Sequence, residues 1–256
     1  MTKISATIIT LNEERNIERC ILSLKDVADE IIVLDSFSTD KTEEICRGLG
    51  VRFEKRAWEG YSQSKNYLNT LATYDYIFSI DADEALSAEL KSSILAEKKK
   101  GLSGVYAVNR MTNYLGTWIK HSGWYPDVKT RIFPKATSKW VGAYVHEELE
   151  VEGNPSPTLL SGDLHHYSYY SFEDHRNRAD KYSRLTAQKM NVKGKRASIL
   201  KPYLSALVRF VGMYFIKLGF LDGKMGFKIA QISALSNIYK YKELRRLNRE
   251  QNNKSK

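Results

Sequence analysis

The alternation of strand-like and helix-like hydrophobic runs over residues 1–103 constrains this chain more than any other feature. Ile4–Leu11 is apolar and β-branched, as in a parallel strand buried on both faces. Asn12 stands where it can cap a helix, with Glu13 and Glu14 near the positive helix end, and Ile17, Ile21 and Leu24 recur at helical spacing. Glu30–Asp35 is a second strand, and Asp40 with Glu43 has capping-box spacing for a helix that Gly50 ends. Val51–Phe53 forms a third strand, the spacing of Tyr61, Lys65, Leu68 and Leu71 predicts a helix, and Tyr74–Ile80 a fourth strand. Ser87–Lys100 reads as an exposed helix. This order predicts an α/β fold with a mostly parallel sheet, flanking helices and right-handed crossovers.

Ligands of such sheets bind beyond the carboxyl ends of the strands. Three polar groups fall there: Thr10, Asn12 and Glu13 after the first strand, Asp35 at the end of the second, and Asp81-Ala82-Asp83 after the fourth. In an extended segment side chains two apart point the same way, so Asp81 and Asp83 can face one ligand. Mg²⁺ or Mn²⁺ takes one or two carboxylates and completes its shell with phosphate oxygens and water. The triplet therefore suits a metal–diphosphate. There is no GxGxxG and no GxxxxGK[ST], so a glycine-rich phosphate loop is not expected.

Residues 104–167 lose the alternation and read as a mixed or antiparallel extension, with strand-like pieces at Val105–Arg110, Thr130–Phe133, Val145–Val151 and Leu164–Tyr167. Ser171 with Asp174 opens a helix to about Met190, followed by helices over 200–219 and 223–248, the latter expected to be capped by Asp222. Charge is distributed unevenly. Residues 1–175 hold 20 basic and 26 acidic side chains, whereas residues 176–256 hold 20 basic and 4 acidic, so the net +10 averages an acidic body and a basic tail. Cys20 and Cys46 have no metal spacing and are expected to be buried free thiols. The run Ile4–Leu11 is too short and too quickly followed by acids for a signal peptide, which sets the expectation of a cytoplasmic protein.

The segments TIITLNEERNIERCILSL, EIIVLDSFSTDKT, SKNYLN and YIFSIDADE together resemble the family 2 inverting glycosyltransferases. TRIFPK, VGAYVHEEL, LHHYSYYSFEDH and GFLDGKMGFKIA resemble the lipopolysaccharide-core β-glucosyltransferase branch of that family. The resemblance implies a GT-A fold, with residues 1–103 as its nucleotide-sugar half, 104–190 as its acceptor half and 191–256 as a basic helical tail. It implies that Thr10, Asn12, Glu13 and Asp35 line the nucleoside pocket, that Lys65 approaches base or phosphate, that Asp81 contacts ribose or metal-bound water, and that Asp83 ligates Mg²⁺ or Mn²⁺. His165 or His166, with His166 preferred, is a candidate for the metal, and Arg131 for phosphate. Many members take the acceptor proton with the Asp of a Glu-Asp pair; here His146-Glu147-Glu148 stands instead, with Glu147 as the expected base and His146 orienting it or binding the leaving group. Trp118, Trp124 and Trp140 stack on sugars or pack.

The expected reaction is metal-assisted transfer of a hexose, by resemblance glucose from UDP-glucose, to a lipopolysaccharide-core or related glycolipid acceptor. The rivals are the same fold acting on a peptide or a capsule intermediate, and a non-catalytic module that binds a nucleotide or an acidic lipid. The stripe Tyr203, Leu204, Leu207, Phe210, Val211, Tyr214 and Leu218, with Arg209, Lys217, Lys224 and Lys228 nearby, points to peripheral contact with an anionic membrane at the inner face of the cytoplasmic membrane. No nucleic-acid partner is expected, because the basic residues lack base-stacking aromatic motifs.

Overall fold

The computed structural model describes residues 1–142 and 147–254. β1 (Ile4–Thr10) has an uncharged sequence buried almost throughout, and β2 (Glu30–Asp35) and β4 (Tyr76–Asp81) flank it in parallel. β3 (Arg52–Lys55) adds to the outer edge of β2. Between these strands run α1 (Ile17–Leu24), α2 (Thr42–Gly48) and α3 (Tyr61–Leu71). The chain moves outward from β1 to β3 and then returns to the other side of β1 as β4, so the order reverses between β1 and β4. That reversal is where an open α/β sheet leaves a crevice for ligands.

Beyond β4 the sheet becomes mixed in strand direction. β5 (Glu84–Leu86) and α4 (Ala88–Lys100) precede β6 (Tyr106–Tyr114), β7 (Thr117–Trp118) and β8 (Asp127–Pro134), and β11 (Thr158–Tyr169) returns along β5. β8 pairs antiparallel with both β4 and β6. Among the described residues the sheet has nine strands, in the path β3-β2-β1-β4-β8-β6-β11-β5 with β7 on β6. A separate pair joins β9 (Ser138–Val141) to β10 (Glu148–Val151). The expected extension thus continues the same sheet.

Period-two alternation sorts the core onto both sheet faces. Ile4, Ala6 and Ile8 of β1 join Phe78 and Ile80 of β4 against Ile17, Ile21 and Leu24 of α1. Ile32 and Leu34 of β2 and Ile77 of β4 face Leu68 of α3 on the other side. Burying each such side chain fully stabilises by about 1.5–3 kcal/mol. Cys20 and Cys46 are buried free thiols, as expected, and burial raises both, Cys46 to about 12. One glycine is sterically required here: a Cβ on Gly162 of β11 would lie 2.2 Å from the backbone nitrogen of Leu90 in α4.

The described chain forms two compact units: Met1–Met111 with Asp127–Tyr167, and Thr112–Pro126 with Ser168–Lys256. In the second, α5 (Phe172–Val192), α6 (Lys201–Val211) and α7 (Gly223–Lys254) pack together around Tyr114, Ile119, Met213 and Ile229. The helix expected over 200–219 is broken. A π-helical turn covers Gly212–Ile216, Leu218 takes φ +54°, and a 3₁₀ turn covers Gly219–Asp222. The fold-back needs Gly226, whose Cβ would stand 1.8 Å from the Gly219 carbonyl oxygen.

Three expected caps are not used as caps of their helices. Asn12 lies before α1 at φ +54°, with its side-chain oxygen accepting from the Thr39 backbone N–H at 2.8 Å, so it ties two loops together. Glu43 pairs with Arg47 and Lys55, while Asp40 alone accepts from the Thr42 N–H at 3.0 Å. Asp222 accepts from the backbone N–H groups of Lys120 and His121 and from the His121 ring. At Asn12 and Asp222 a long-range donor outcompetes the local one. Ser87 and Ser171 do cap α4 and α5.

Candidate active site

Strand register brings the polar ends of three strands level. Thr10 pairs with Asp35, and Ile9 with Asp81. Asp35 is fully buried and its carboxylate accepts from both the N–H and the hydroxyl of Ser38, which fixes the turn after β2. The β1 and β2 loops are stitched together further: the Asn12 N–H donates to Ser38 Oγ at 2.7 Å and the Glu13 N–H to Thr42 Oγ1 at 2.8 Å. Glu13 also accepts from the Asn16 side chain. Thr10 Oγ1 is buried with no hydrogen-bond partner among the described residues. A hydroxyl left open beside a rigid double loop is suited to a ligand's polar edge.

Lys65 is 4% exposed, although it lies on a helix that could have carried a solvated lysine. Its ammonium stands 3.3 Å from Asp81 Oδ1 and 3.4 Å from Glu147 Oε1, and over the Trp140 ring at 4.6 Å from the centroid. Arg131 of β8 reaches Asp81 Oδ2 at 2.9 Å and Glu84 Oε1 at 2.5 Å. Burial alone would raise the Asp81 carboxyl, but the charges of Lys65 and Arg131 and the Arg131 hydrogen bond hold it well below the usual carboxylate range. Burial likewise disfavours the Arg131 cation, yet Glu84 and Asp81 keep it firmly charged.

Lys65, Asp81 and Arg131 line a cavity of about 510 Å³ together with Arg110, Lys129, Glu147 and Trp140. Arg131 Nε and Trp140 Nε1 are buried there without a hydrogen-bond partner among the described residues. Asp83 stands apart, half-buried, with Oδ2 3.3 Å from His166 Nε2. No cluster of three or more metal-ligating side chains occurs among the described residues. One carboxylate beside one imidazole nevertheless fits a Mg²⁺ or Mn²⁺ that takes its other ligands from a diphosphate and water.

The structure therefore gathers Lys65, Asp81, Arg131 and Glu147 around one cavity, and Asp83 with His166 at the adjoining β4–β5 turn. Thr10, Asn12, Glu13 and Asp35 form a second group at the ends of β1 and β2. His146 lies outside the described residues. Trp124 packs, stacking on Tyr169 at 5.4 Å and standing edge-on to Tyr114. Sequence reasoning missed Arg110 and left Glu84 between an extension of the acidic cluster and a helix start. Glu84 is buried; it accepts the Asp81 N–H at 3.0 Å and binds both Arg131 and Arg110. Arg110 in turn holds Asp127 at 2.7 Å. Glu84 follows the acidic triplet directly and reads in sequence as more acidic turn or helix start; only the return of β11 along β5 makes it a strand residue.

The profile of Glycosyl transferase family 2 matches residues 5–147. A glycosyltransferase of Rickettsia typhi is 31% identical over 96% of this chain and 88% of its own length. The lipopolysaccharide core biosynthesis glycosyltransferase LpsC of Rhizobium meliloti is 30% identical over 83% of this chain and 80% of its own. Among solved structures, glucosyl-3-phosphoglycerate synthase from Mycobacterium tuberculosis, in complex with Mn²⁺, UDP and glucosyl-3-phosphoglycerate, aligns at 21% identity and a TM-score of 0.43, covering 56% of this chain and 61% of that one. The parallel β3-β2-β1-β4 half and its mixed continuation form the α/β sheet expected of GT-A, and this chain belongs to Glycosyl transferase family 2.

Proposed function

We propose that the protein is an inverting glycosyltransferase that moves a hexose, glucose from UDP-glucose first among the candidates, to a hydroxyl of a lipopolysaccharide-core or related glycolipid. The observation that carries the reading is that Asp81 and Glu147 both stand within 3.4 Å of the Lys65 ammonium and line one cavity. Residues 1–103 hold the donor, residues 104–190 the acceptor, and residues 191–256 contact an anionic membrane from its cytoplasmic side. The nucleoside lies against Thr10, Asn12, Glu13 and Asp35, where the open Thr10 hydroxyl is available to it.

The transfer is a single in-line displacement. The acceptor oxygen forms a bond to the anomeric carbon as the bond from that carbon to the diphosphate oxygen breaks, and the electron pair leaves with the diphosphate. The hydroxyl proton goes to a Glu147 carboxylate oxygen. Lys65 and Arg131 place positive charge where the diphosphate charge grows. Asp83 and His166 would hold the divalent cation, which when bound neutralises charge on the diphosphate. Alignment of the reacting atoms by this set supplies the rest of the rate.

A panel of nucleotide sugars, assayed for Mg²⁺- or Mn²⁺-dependent binding and slow hydrolysis, tests the reading. UDP-glucose is expected to bind and turn over only with metal. Nucleotide binding with no turnover of any donor would assign the chain to the non-catalytic alternative. Transfer to a peptide or a capsule intermediate in preference to a glycolipid would move the acceptor class.

A further inference from the structure

The outward face of α6 is apolar where a helix facing water is polar. Pro202 and Ala206 turn inward, whereas Leu204, Leu207, Val208, Phe215 and Ile216 face out, with Val208 71% and Ile216 76% exposed. Their spacing follows one side of the helix and runs on through the π-turn. A contiguous patch of this kind marks an interaction surface and not ordinary scatter. The charges around it have one sign. Residues 199–242 contain Lys201, Arg209, Lys217, Lys224, Lys228, Lys240 and Lys242 against a single acid, Asp222. That acid is 4% exposed and taken up by Lys120 and His121. A second copy would bring seven like charges towards seven. An anionic lipid surface complements both the apolar face and the cationic rim. No single helix among the described residues is long and apolar enough to cross a membrane, and Lys201–Ile216 meets Gly219–Gln251 at 73°.

We propose that α6 and the turn after it insert their apolar face into the interfacial layer of an anionic bilayer, so that attachment is hydrophobic as well as electrostatic. This deepens the membrane contact proposed above by naming its surface and mode. It is measured without donor or acceptor, so it fails or stands separately from glycosyl transfer.

The test is sedimentation of the full chain with vesicles of phosphatidylcholine and phosphatidylglycerol, at about 0.1 M and about 1 M salt, where the Debye length falls from about 10 to about 3 Å. Substantial binding is expected to survive high salt, and Leu204→Glu/Leu207→Glu to bind at least ~10-fold more weakly there, with unchanged circular dichroism. In a second measurement, Val208→Cys carrying an environment-sensitive fluorophore is expected to shift to the blue on vesicle addition. Complete release of the wild type at high salt together with no blue shift overturns insertion. Wild-type-like binding by the double variant also overturns it. Self-association abolished by the same substitutions, without vesicle binding, assigns the face to a second copy and overturns the proposal.

Discussion

Lys65 holds its ammonium nitrogen 3.4 Å from Glu147 Oε1, joining α3 to the segment before β10 that carries the proposed base. The same nitrogen reaches Asp81 at 3.3 Å, so one buried cation keeps two carboxylates in place. Lys65→Met keeps the apolar stem on Trp140 and removes the charge. A charge-assisted hydrogen bond contributes about 1.5–3 kcal/mol, so nucleotide-sugar affinity is expected to fall by about 10- to 100-fold. Calorimetric titration with UDP-glucose and Mn²⁺ reads this directly; unchanged affinity would remove Lys65 from the donor site.

Glu147→Gln preserves the size of the side chain and its contact with Lys65 but cannot take a proton. Transfer is expected to drop by at least ~10²-fold while donor binding holds. Single-turnover kinetics alongside titration separate the two. Transfer at the wild-type rate would place the base elsewhere.

Asp83→Asn tests the ion. The half-buried carboxylate beside His166 is the local pair best suited to a divalent cation. Binding of Mn²⁺ in the presence of UDP, followed by electron paramagnetic resonance, is expected to weaken by at least ~10-fold. His166→Ala weakens it less, since it removes the neutral ligand. Retention of full Mn²⁺ affinity by both variants would move the metal away from this turn.

The parallel half was legible because β1, β2 and β4 are compact apolar runs and α1 repeats its core residues at helical spacing. Asp81 and Asp83 were legible for the same reason: they close such a run. Arg110 and Glu84 were not, because their pairing depends on β6, β8 and β5 coming together across long loops. The caps at Asn12 and Asp222 failed similarly, since Thr39 and His121 compete for their side chains from 27 and 101 residues away in sequence. Local rules describe local partners, and the polar groups of this site draw theirs from distant strands.

Glu84 is a stability residue as well as a positioning one. Its buried carboxylate compensates Arg131 and shares Arg110 with Asp127. Removing one member of such a buried set leaves uncompensated charge and costs about 3–5 kcal/mol. Glu84→Ala is expected to lower the unfolding free energy by that amount in urea. Glu84→Gln, which still accepts the Asp81 N–H, is expected to lose less. Equal losses would mean that the missing charge alone, and not the volume or the retained acceptor, sets the effect.

His175 gives the second unit a defined acid sensitivity. Its ring is buried, with Nδ1 2.7 Å from the Tyr114 hydroxyl, and packs edge-on to Trp124. Burial lowers it from 6.5 to about 4, against the raising effect of Asp174 and with a small lowering contribution from Arg178. Between those values the unfolded chain binds the proton and the folded chain does not. Stability is therefore unaffected well above pH 6.5, declines as pH falls through the window, and has lost about 3 kcal/mol from this group near pH 4. Urea unfolding followed by tryptophan fluorescence at about pH 7 and about pH 5 should show a decline of about 2 kcal/mol from this group. His175→Gln, which retains a partner for Tyr114 and does not titrate, is expected to be less stable at neutral pH yet to show the flatter dependence. Parallel pH profiles for the two proteins would show that His175 is protonated alike in the folded and unfolded chain.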